Sequence, residues 1–148
     1  MQYITKSPEE TSQVGYELAK KLDTGGTLRT FIAMRGEMGV GKTAFVRGFA
    51  SYFGIEGVKS PTYAVMNQHT SKNSKRIYHF DMYRIESDDD LYSIGYDDYI
   101  ESDGYALVEW SENIEYAIPH PAIYVTIARD DDDEMARIIT VEVEEGAI

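Results

Sequence analysis

Hydrophobic positions in the first third of the chain predict two strands and two helices in alternation. Residues 3–5 form a short strand. A helix then begins at Ser7-Pro8, because serine suits the N-cap, proline suits the first helical position, and Glu10 closes a capping box. Residues 28–34 are rich in apolar and β-forming side chains, which predicts a buried strand. An apolar stripe at four-residue spacing predicts the next helix, and Gly54 suits its C-terminal cap.

The middle of the chain predicts a hairpin, a helix and a third buried strand. Residues 63–69 and 76–81 are the two arms of the hairpin, with turn residues between them. Ser87 and the acids after it are typical of a helix N-terminus, and Gly95 interrupts the apolar pattern that follows. Residues 106–108 form a short and strongly apolar strand.

A second hairpin is predicted near the end of the chain. Its arms are residues 123–127 and 137–143, the latter with alternating apolar and polar positions. The acidic run at 130–134 lies between them. It lacks the glycine and the glutamate spacing of a calcium loop, so we interpret it as a solvated hairpin turn.

Composition and charge narrow the classes of protein to which the chain can belong. Its 148 residues are 43% hydrophobic, which suits one globular domain rather than a disordered chain. The formal net charge of −12 disfavours autonomous binding to the phosphate backbone of a nucleic acid. With no cysteine, the chain has no disulfide framework and no thiolate metal site. No apolar run approaches the roughly 20 residues of a membrane span, and the start lacks a signal-peptide core, so we expect a cytoplasmic protein.

The stretch between the second strand and the second helix fits the phosphate-binding pattern G-x-x-x-x-G-K-[ST] at every fixed position. It comprises Gly36, Glu37, Met38, Gly39, Val40, Gly41, Lys42 and Thr43. Glycines let the backbone curl, so that several N–H groups converge on phosphate oxygens. Lys42 supplies a positive charge for the β- and γ-phosphates, and the hydroxyl of Thr43 can ligate Mg²⁺. The pattern predicts a nucleoside triphosphate site.

A strand, a glycine-rich loop and a helix in this order are the context that this pattern requires. We therefore predict an α/β fold of the P-loop NTPase type. Its expected form is a three-layer αβα sandwich with a mixed, largely parallel central sheet and hairpin additions. Residues 1–148 are predicted to form this one domain.

A P-loop ATPase also needs a carboxylate at the end of a neighbouring strand, to hold Mg²⁺ or its water. Glu109 ends the more apolar of two candidate strands, which favours a central position, and Asp81 ends the more polar one. One of these acids can hold the metal while the other orients the attacking water. Ser60-Pro61-Thr62 is either an ordinary turn or a switch segment whose hydroxyls reach the metal or the γ-phosphate.

Other classes of protein remain open from the residues alone. A small-molecule P-loop kinase, the main alternative, would need an acceptor pocket and usually an arginine-bearing lid, whereas the arginines after Lys42 are not clustered. A GTPase-class switch would carry Asn-Lys-x-Asp to read guanine, and that sequence does not occur. A non-enzymatic binding module would leave Lys42, Thr43 and two strand-end acids without a role.

Four motifs in one order carry a resemblance to a known family: GEMGVGKT at 36–43, SPTY at 60–63, HFDMYRI at 79–85 and VEW at 108–110. Together they resemble the TsaE family (formerly YjeE), small bacterial ATPases of threonylcarbamoyladenosine synthesis. The resemblance covers essentially the whole chain. It implies ATP and Mg²⁺ as cofactors and a role in tRNA modification. It also implies TsaB and the threonylcarbamoyl-transferring TsaD as partners, with tRNA contacted at most indirectly.

The resemblance also implies roles for single residues of the metal and phosphate site. Residues 39–43 would bind the triphosphate, with Thr43 and Glu109 as the two metal ligands. Asp81 matches the family's other essential acid, near the γ-phosphate.

Further matches concern the surroundings of that site. Thr11 matches a threonine near the nucleoside, and Arg137 matches a residue near the base. Ser60 and Thr62 match a switch-like segment, in which Tyr63 stands where many relatives have phenylalanine.

Two residues beyond the metal site lead to expectations about behaviour. Trp110 is the only tryptophan and follows Glu109 directly, so its fluorescence is expected to report bound nucleotide, unless the ring lies in the core. Arg84 is the one internal candidate for an arginine finger, and no other arginine is in an evident position for that role. We therefore expect slow hydrolysis by the isolated chain and stimulation by its partners.

Overall fold

Strands and helices alternate along most of the chain, and the strands form one mixed sheet. The computed structural model describes residues 1–37, 39–59, 61 and 65–148. The strands are β1 (Gln2–Thr5), β2 (Arg29–Arg35), β3 (Met66–Thr70), β4 (Arg76–Asp81), β5 (Gly104–Glu109), β6 (Ile123–Asp130) and β7 (Asp133–Val143). The helices are α1 (Pro8–Thr24), α2 (Lys42–Tyr52), α3 (Asp88–Ser93), α4 (Tyr96–Ile100) and a 3₁₀ helix (Ser111–Ala117). None of the helices in the described ranges has the length and apolar character to cross a membrane.

The sheet has the strand order β1-β7-β6-β2-β5-β4-β3. Its four central strands, β6, β2, β5 and β4, are parallel neighbours. The outer strands pair antiparallel, and β3–β4 and β6–β7 are the two hairpins that the alternation of residues predicts. The prediction of a mixed sheet with a parallel centre and hairpin additions is thus confirmed. Because the four central strands are parallel, the segments that follow them meet at one edge of the sheet.

Helices cover both faces of the sheet, which confirms the three-layer αβα architecture. One core lies under α1 and α2 and includes Leu18, Leu22, Ile32, Phe45, Phe49, Ile77 and Leu107. The other core lies under α3, α4 and the 3₁₀ helix and includes Phe31, Phe80, Leu91, Tyr96, Val108 and Ile114. Successive residues of β2, β4 and β5 alternate between the two cores, as the pleat of a strand requires.

Two glycines allow α1 to pack directly on α2. A Cβ atom at Gly48 would lie 1.8 Å from the carbonyl oxygen of Ser12, and one at Gly15 would lie 2.2 Å from the carbonyl oxygen of Phe45. Ser12 Oγ also donates a hydrogen bond of 2.9 Å to the carbonyl oxygen of Ala44. The start of α1 is therefore held against the start of α2, where the P-loop ends.

Local details differ from the predictions at several points. Ser7 caps α1 as predicted, with its Oγ accepting from the N–H of Glu10 at 3.2 Å. The carboxylate of Glu10, however, accepts from the N–H of Lys6, so the capping box closes one residue earlier than expected. Strands β6 and β7 extend into the predicted acidic turn and leave only residues 131–132 between them. The 3₁₀ helix after β5 was not predicted, and residues 63–64 of the first hairpin lie outside the described part of the chain.

Candidate nucleotide-binding site

The P-loop joins the end of β2 to the start of α2, and its glycines adopt backbone angles that other residues avoid. The φ angles are 148° at Gly36, 74° at Gly39 and 113° at Gly41. A Cβ at Gly36 would also lie 2.5 Å from the carbonyl oxygen of Ile127. No side chain caps the first turn of α2 among the residues that the structure describes, so its backbone N–H groups face the loop in the arrangement that binds anions. Met38, the remaining glycine-loop residue, lies outside the described residues.

Lys42 is buried against the P-loop and an aromatic ring, with only 5% of its surface exposed. Its Nζ donates a hydrogen bond of 2.7 Å to the carbonyl oxygen of Gly36. The same atom lies 4.5 Å from the ring centroid of Trp110, a cation–π distance. Trp110 follows β5 with φ of 57°, and its ring packs on Tyr83 at 5.0 Å between centroids. The ammonium group is thus held at the mouth of the loop.

Glu109 and Asp81 end neighbouring parallel strands and stand opposite each other in register. Strand β5, which carries Glu109, is also the direct neighbour of β2, which leads into the P-loop. Glu109 is buried, and one of its carboxylate oxygens is paired with Nε2 of His79. The apolar sequence of β5 predicts this central position correctly, because only a strand covered on both faces needs apolar residues throughout.

Asp81 is half-buried at the end of β4. Its Oδ1 accepts a hydrogen bond of 3.0 Å from the backbone N–H of Tyr83. Burial raises the pKa of the Asp81 carboxyl above its usual range, and the charge of Glu109 adds to this, while the Tyr83 hydrogen bond and Lys42 oppose it. The raised pKa makes this carboxylate a stronger base than an exposed aspartate.

These groups share one cavity of about 350 Å³. Its lining consists of Gly39, Gly41, Lys42, Thr43, Asp81, Glu109 and Trp110. The volume is within the usual range for small-molecule sites, which is about 300–1,000 Å³. Seven residues that were selected from the sequence are therefore brought together by the fold.

The P-loop is supported from outside by α1 and by the β6–β7 hairpin. Thr11 is buried at the start of α1, where its hydroxyl shares a hydrogen bond of 2.8 Å with that of Thr5. Its methyl group lies 3.6 Å from the position that a Cβ would take at Gly41. Arg137 Nε donates to the carbonyl oxygen of Val40 at 3.1 Å. Both residues touch the loop, but neither lines the cavity described above.

Sequence reasoning missed one further contact of the loop, the ion pair between Arg129 and Glu37. Arg129 Nη1 lies 3.0 Å from Glu37 Oε2. Arg129 stands opposite Arg137 in the β6–β7 register, so both arginines project from one end of the hairpin. The alternating pattern of the hairpin could have suggested that these two arginines are neighbours. The packing of the hairpin beside the P-loop does not follow from that pattern.

Three predicted site residues remain, of which the structure describes one. Arg84 is exposed and does not line the cavity. Ser60 and Thr62, the hydroxyls of the predicted switch segment, lie outside the described residues, as does Tyr63.

A larger cavity of about 650 Å³ lies at the opposite edge of the sheet, beside the first residues of β2 and β5. It is lined by residues such as Arg29, Phe31, Tyr99 and His120, and it is remote from the P-loop and from both strand-end acids. Volume alone would favour this cavity, but the glycine loop, the buried lysine and the paired carboxylates are all in the smaller one. The chemistry of the side chains therefore decides between them.

The donor groups of the smaller cavity fit Mg²⁺. Thr43 offers a hydroxyl, and Glu109 and Asp81 offer carboxylate oxygens, the hard ligands that Mg²⁺ prefers. The described part of the chain contains no cluster of three or more acidic or histidine side chains that could hold a metal by itself. Mg²⁺ is commonly bound by one or two carboxylates together with phosphates of the substrate.

Comparison with known proteins gives consistent matches over most of the chain. The family model described as "Threonylcarbamoyl adenosine biosynthesis protein TsaE" matches residues 5–139. The tRNA threonylcarbamoyladenosine biosynthesis protein TsaE of Bacillus subtilis is 34% identical over 135 residues, covering 90% of this chain and 81% of that protein. The protein of the same name from Haemophilus influenzae is 35% identical over 144 residues, covering 93% of this chain and 87% of that protein. The crystal structure of Bacillus subtilis YdiB aligns with a TM-score of 0.78 and 27% identity, over 97% of this chain and 86% of that one.

Proposed function

Because this chain belongs to the TsaE family of threonylcarbamoyl adenosine biosynthesis proteins, we propose that it is a Mg²⁺-dependent ATPase. The ATPase would serve tRNA threonylcarbamoyladenosine modification in the cytoplasm, with TsaB- and TsaD-like proteins as partners. The observation that carries this proposal is the cavity in which the P-loop lysine faces two strand-end carboxylates. Binding of a triphosphate there would explain why a buried lysine, a positive-φ glycine loop and two acids are kept together.

Phosphate binding is assigned to the P-loop and to the first turn of α2. The N–H groups of that turn and the positive end of the helix attract phosphate oxygens. Lys42 Nζ, which is 2.7 Å from the carbonyl oxygen of Gly36, is already directed to the mouth of the loop. It exchanges that neutral acceptor for a charged phosphate oxygen, which forms a stronger hydrogen bond.

Thr43 and Glu109 are assigned to hold Mg²⁺, which when bound neutralises charge on the β- and γ-phosphate oxygens. Asp81 is assigned to the water that attacks the γ-phosphate. It orients that water and accepts its proton at a carboxylate oxygen, which the raised pKa favours. The ring of Trp110 lies against the Lys42 ammonium group, 4.5 Å from ring centroid to Nζ, and limits the access of solvent to it.

The test is nucleotide binding by the Lys42→Ala variant. Loss of one charged hydrogen bond is worth about 1.5–3 kcal/mol, so calorimetry should show Mg·ATP affinity reduced by about 10- to 100-fold. Lys72→Ala is the matched control, because it removes the same charge from an exposed turn and should bind as the wild type does. The emission of Trp110 should change with nucleotide in the control and in the wild type.

Unchanged Mg·ATP affinity in Lys42→Ala would refute the proposed site. The same samples separate an ATPase from the alternative, a small-molecule kinase. Phosphate release from ATP without any acceptor supports the ATPase, whereas ATP that is bound but consumed only when a small-molecule acceptor is added supports the kinase.

A further inference from the structure

His79 is the one buried imidazole next to the proposed metal site, and the mechanism above does not use it. It lies on β4 two residues before Asp81, so both side chains project from the same face of that strand. The histidine is completely buried. Its Nε2 is hydrogen-bonded to Oε2 of Glu109 on the adjacent strand β5.

The direction of this hydrogen bond follows from the partners. A carboxylate oxygen of Glu109 can only accept, so Nε2 of His79 donates. The bond involves Oε2, and it fixes the orientation of the whole carboxylate because both of its oxygens rotate together. Oε1 of Glu109 takes no part in this bond and can accept another ligand.

Packing alone does not explain a histidine at this position. Its other nitrogen, Nδ1, is buried and has no hydrogen-bond partner among the residues that the structure describes. An unsatisfied buried polar atom costs about 1–3 kcal/mol, and a phenylalanine would fill the same space in the core without that cost. The polar contact with Glu109 is therefore what distinguishes histidine from an apolar residue here.

We propose that His79 is a positioning residue that orients the Glu109 carboxylate for Mg²⁺ in the nucleotide complex, an inference that rests on the proposed function. Groups that hydrogen-bond a metal-ligating side chain set its orientation, and their loss typically weakens metal affinity by about 10- to 100-fold. His79 does not touch the phosphates in this assignment. It acts through Glu109.

Two amide variants test the contact with matched chemistry. In His79→Gln the side-chain nitrogen occupies the position of Nε2 and can still donate to Glu109. In His79→Asn the nitrogen occupies the position of Nδ1 and cannot reach Glu109. His79→Phe keeps a ring of similar size and removes both nitrogens. Glu109→Gln serves as the reference for loss of the metal ligand itself.

The measurement is the affinity of the full chain for ADP, by calorimetry, over a series of Mg²⁺ concentrations and in EDTA. Mg²⁺ is expected to raise the affinity for ADP. We expect His79→Phe and His79→Asn to need about 10-fold more Mg²⁺ than the wild type to reach half of that increase. His79→Gln should need at most a few-fold more. All three variants should bind ADP in EDTA as the wild type does, because the phosphate-binding loop is unchanged. Thermal unfolding of each variant without nucleotide reports whether it is folded.

Several outcomes would overturn the inference, and they can be told apart from failure of the proposed function. If His79→Phe and His79→Asn keep the wild-type Mg²⁺ dependence while Glu109→Gln loses it, Glu109 binds the metal and His79 does not position it. If His79→Gln and His79→Asn are equally impaired, or if their ADP affinity in EDTA falls as much as their affinity with Mg²⁺, the role of His79 is in packing. If the wild type shows no Mg²⁺ dependence, the proposed metal site and this inference both fail.

Discussion

At the scale of single residues, Asp81 of the candidate site lies where its charged form destabilises the folded protein. Its carboxyl is half-buried beside Glu109, and burial is the main cause of its raised pKa. A carboxyl whose pKa is higher in the folded than in the unfolded state destabilises the fold when it is charged. That destabilisation is complete above the folded-state pKa and vanishes below the unfolded-state value of 3.8. Carboxyl groups with a raised pKa are common at catalytic sites, which fits the proposed role of Asp81 in activating water.

The prediction at this scale is that Asp81→Asn stabilises the protein against unfolding and removes most of its ATP hydrolysis. Without nucleotide and in EDTA, denaturant unfolding near pH 7 should show a gain of up to about 1 kcal/mol, since solvent screens the half-exposed charge. The gain should shrink as the pH falls towards about 4, where the wild-type carboxyl becomes protonated. ATP hydrolysis should fall by about 100-fold or more, with ATP binding retained.

Asp131→Asn is the control for Asp81→Asn, because Asp131 is exposed in the turn between β6 and β7. It should change neither stability nor hydrolysis. A stability gain for Asp81→Asn that is the same at both pH values would contradict the assignment of the effect to the buried charge.

At the scale of elements, the contact between α1 and α2 sets the position of the P-loop. The two helices approach so closely at Gly15 and Gly48 that neither position has room for a Cβ. α2 begins at Lys42, and α1 carries Thr11 against Gly41. Moving the helices apart would therefore disturb both the core and the loop.

Gly48→Ala should destabilise the protein by at least about 1–3 kcal/mol, the usual range for overpacking, because the new Cβ would lie 1.8 Å from a backbone oxygen that cannot rotate away. In most helices the same change stabilises by up to about 1 kcal/mol, so the predicted sign is the opposite of the helix-propensity expectation. Chemical denaturation gives the measurement, with Lys20→Ala on the exposed face of α1 as the control. Stability equal to or above that of the wild type would show that the helices separate at little cost.

At the scale of the whole molecule, charge and the position of Arg84 bear on regulation. The chain carries a net charge of −12, which suits basic partner surfaces better than a nucleic-acid backbone. Arg84 is exposed and lies outside the cavity, and no arginine is among the described residues that line it. An arginine finger is worth about 10³–10⁵ in rate, so an ATPase whose site lacks one is expected to hydrolyse ATP slowly until an arginine is supplied.

We therefore predict slow phosphate release by the isolated protein and strong stimulation on assembly with TsaB- and TsaD-like proteins. Stimulation should weaken as salt is raised, because screening reduces attraction between an acidic surface and a basic partner. Arg84→Ala should lose most of the stimulation, whereas Arg76→Ala, an exposed arginine at the start of β4, should keep it. Fast turnover by the protein alone, unchanged by partners at matched salt, would contradict this prediction.

The sequence alone was sufficient for features that depend on neighbouring residues or on repeating patterns. The P-loop is contiguous, so residues 36–43 show both its glycines and its lysine-threonine pair. The apolar density of β2 and β5 indicates strands covered on both faces, and Glu109 and Asp81 could be selected because each ends a predicted strand. The family resemblance, confirmed by the comparisons, was likewise carried by short motifs in order.

Only the tertiary structure decided which of these strands and side chains lie next to one another. The strand order sets β5 beside β2 and β4 beside β5, and this depends on packing that no local pattern records. The pairing of His79 with Glu109 depends on that order in turn. The same is true of Arg129 beside Glu37, which lie far apart in sequence. Periodicity shows which face of an element is buried, but the residue that it is buried against is determined by the energy of the whole fold.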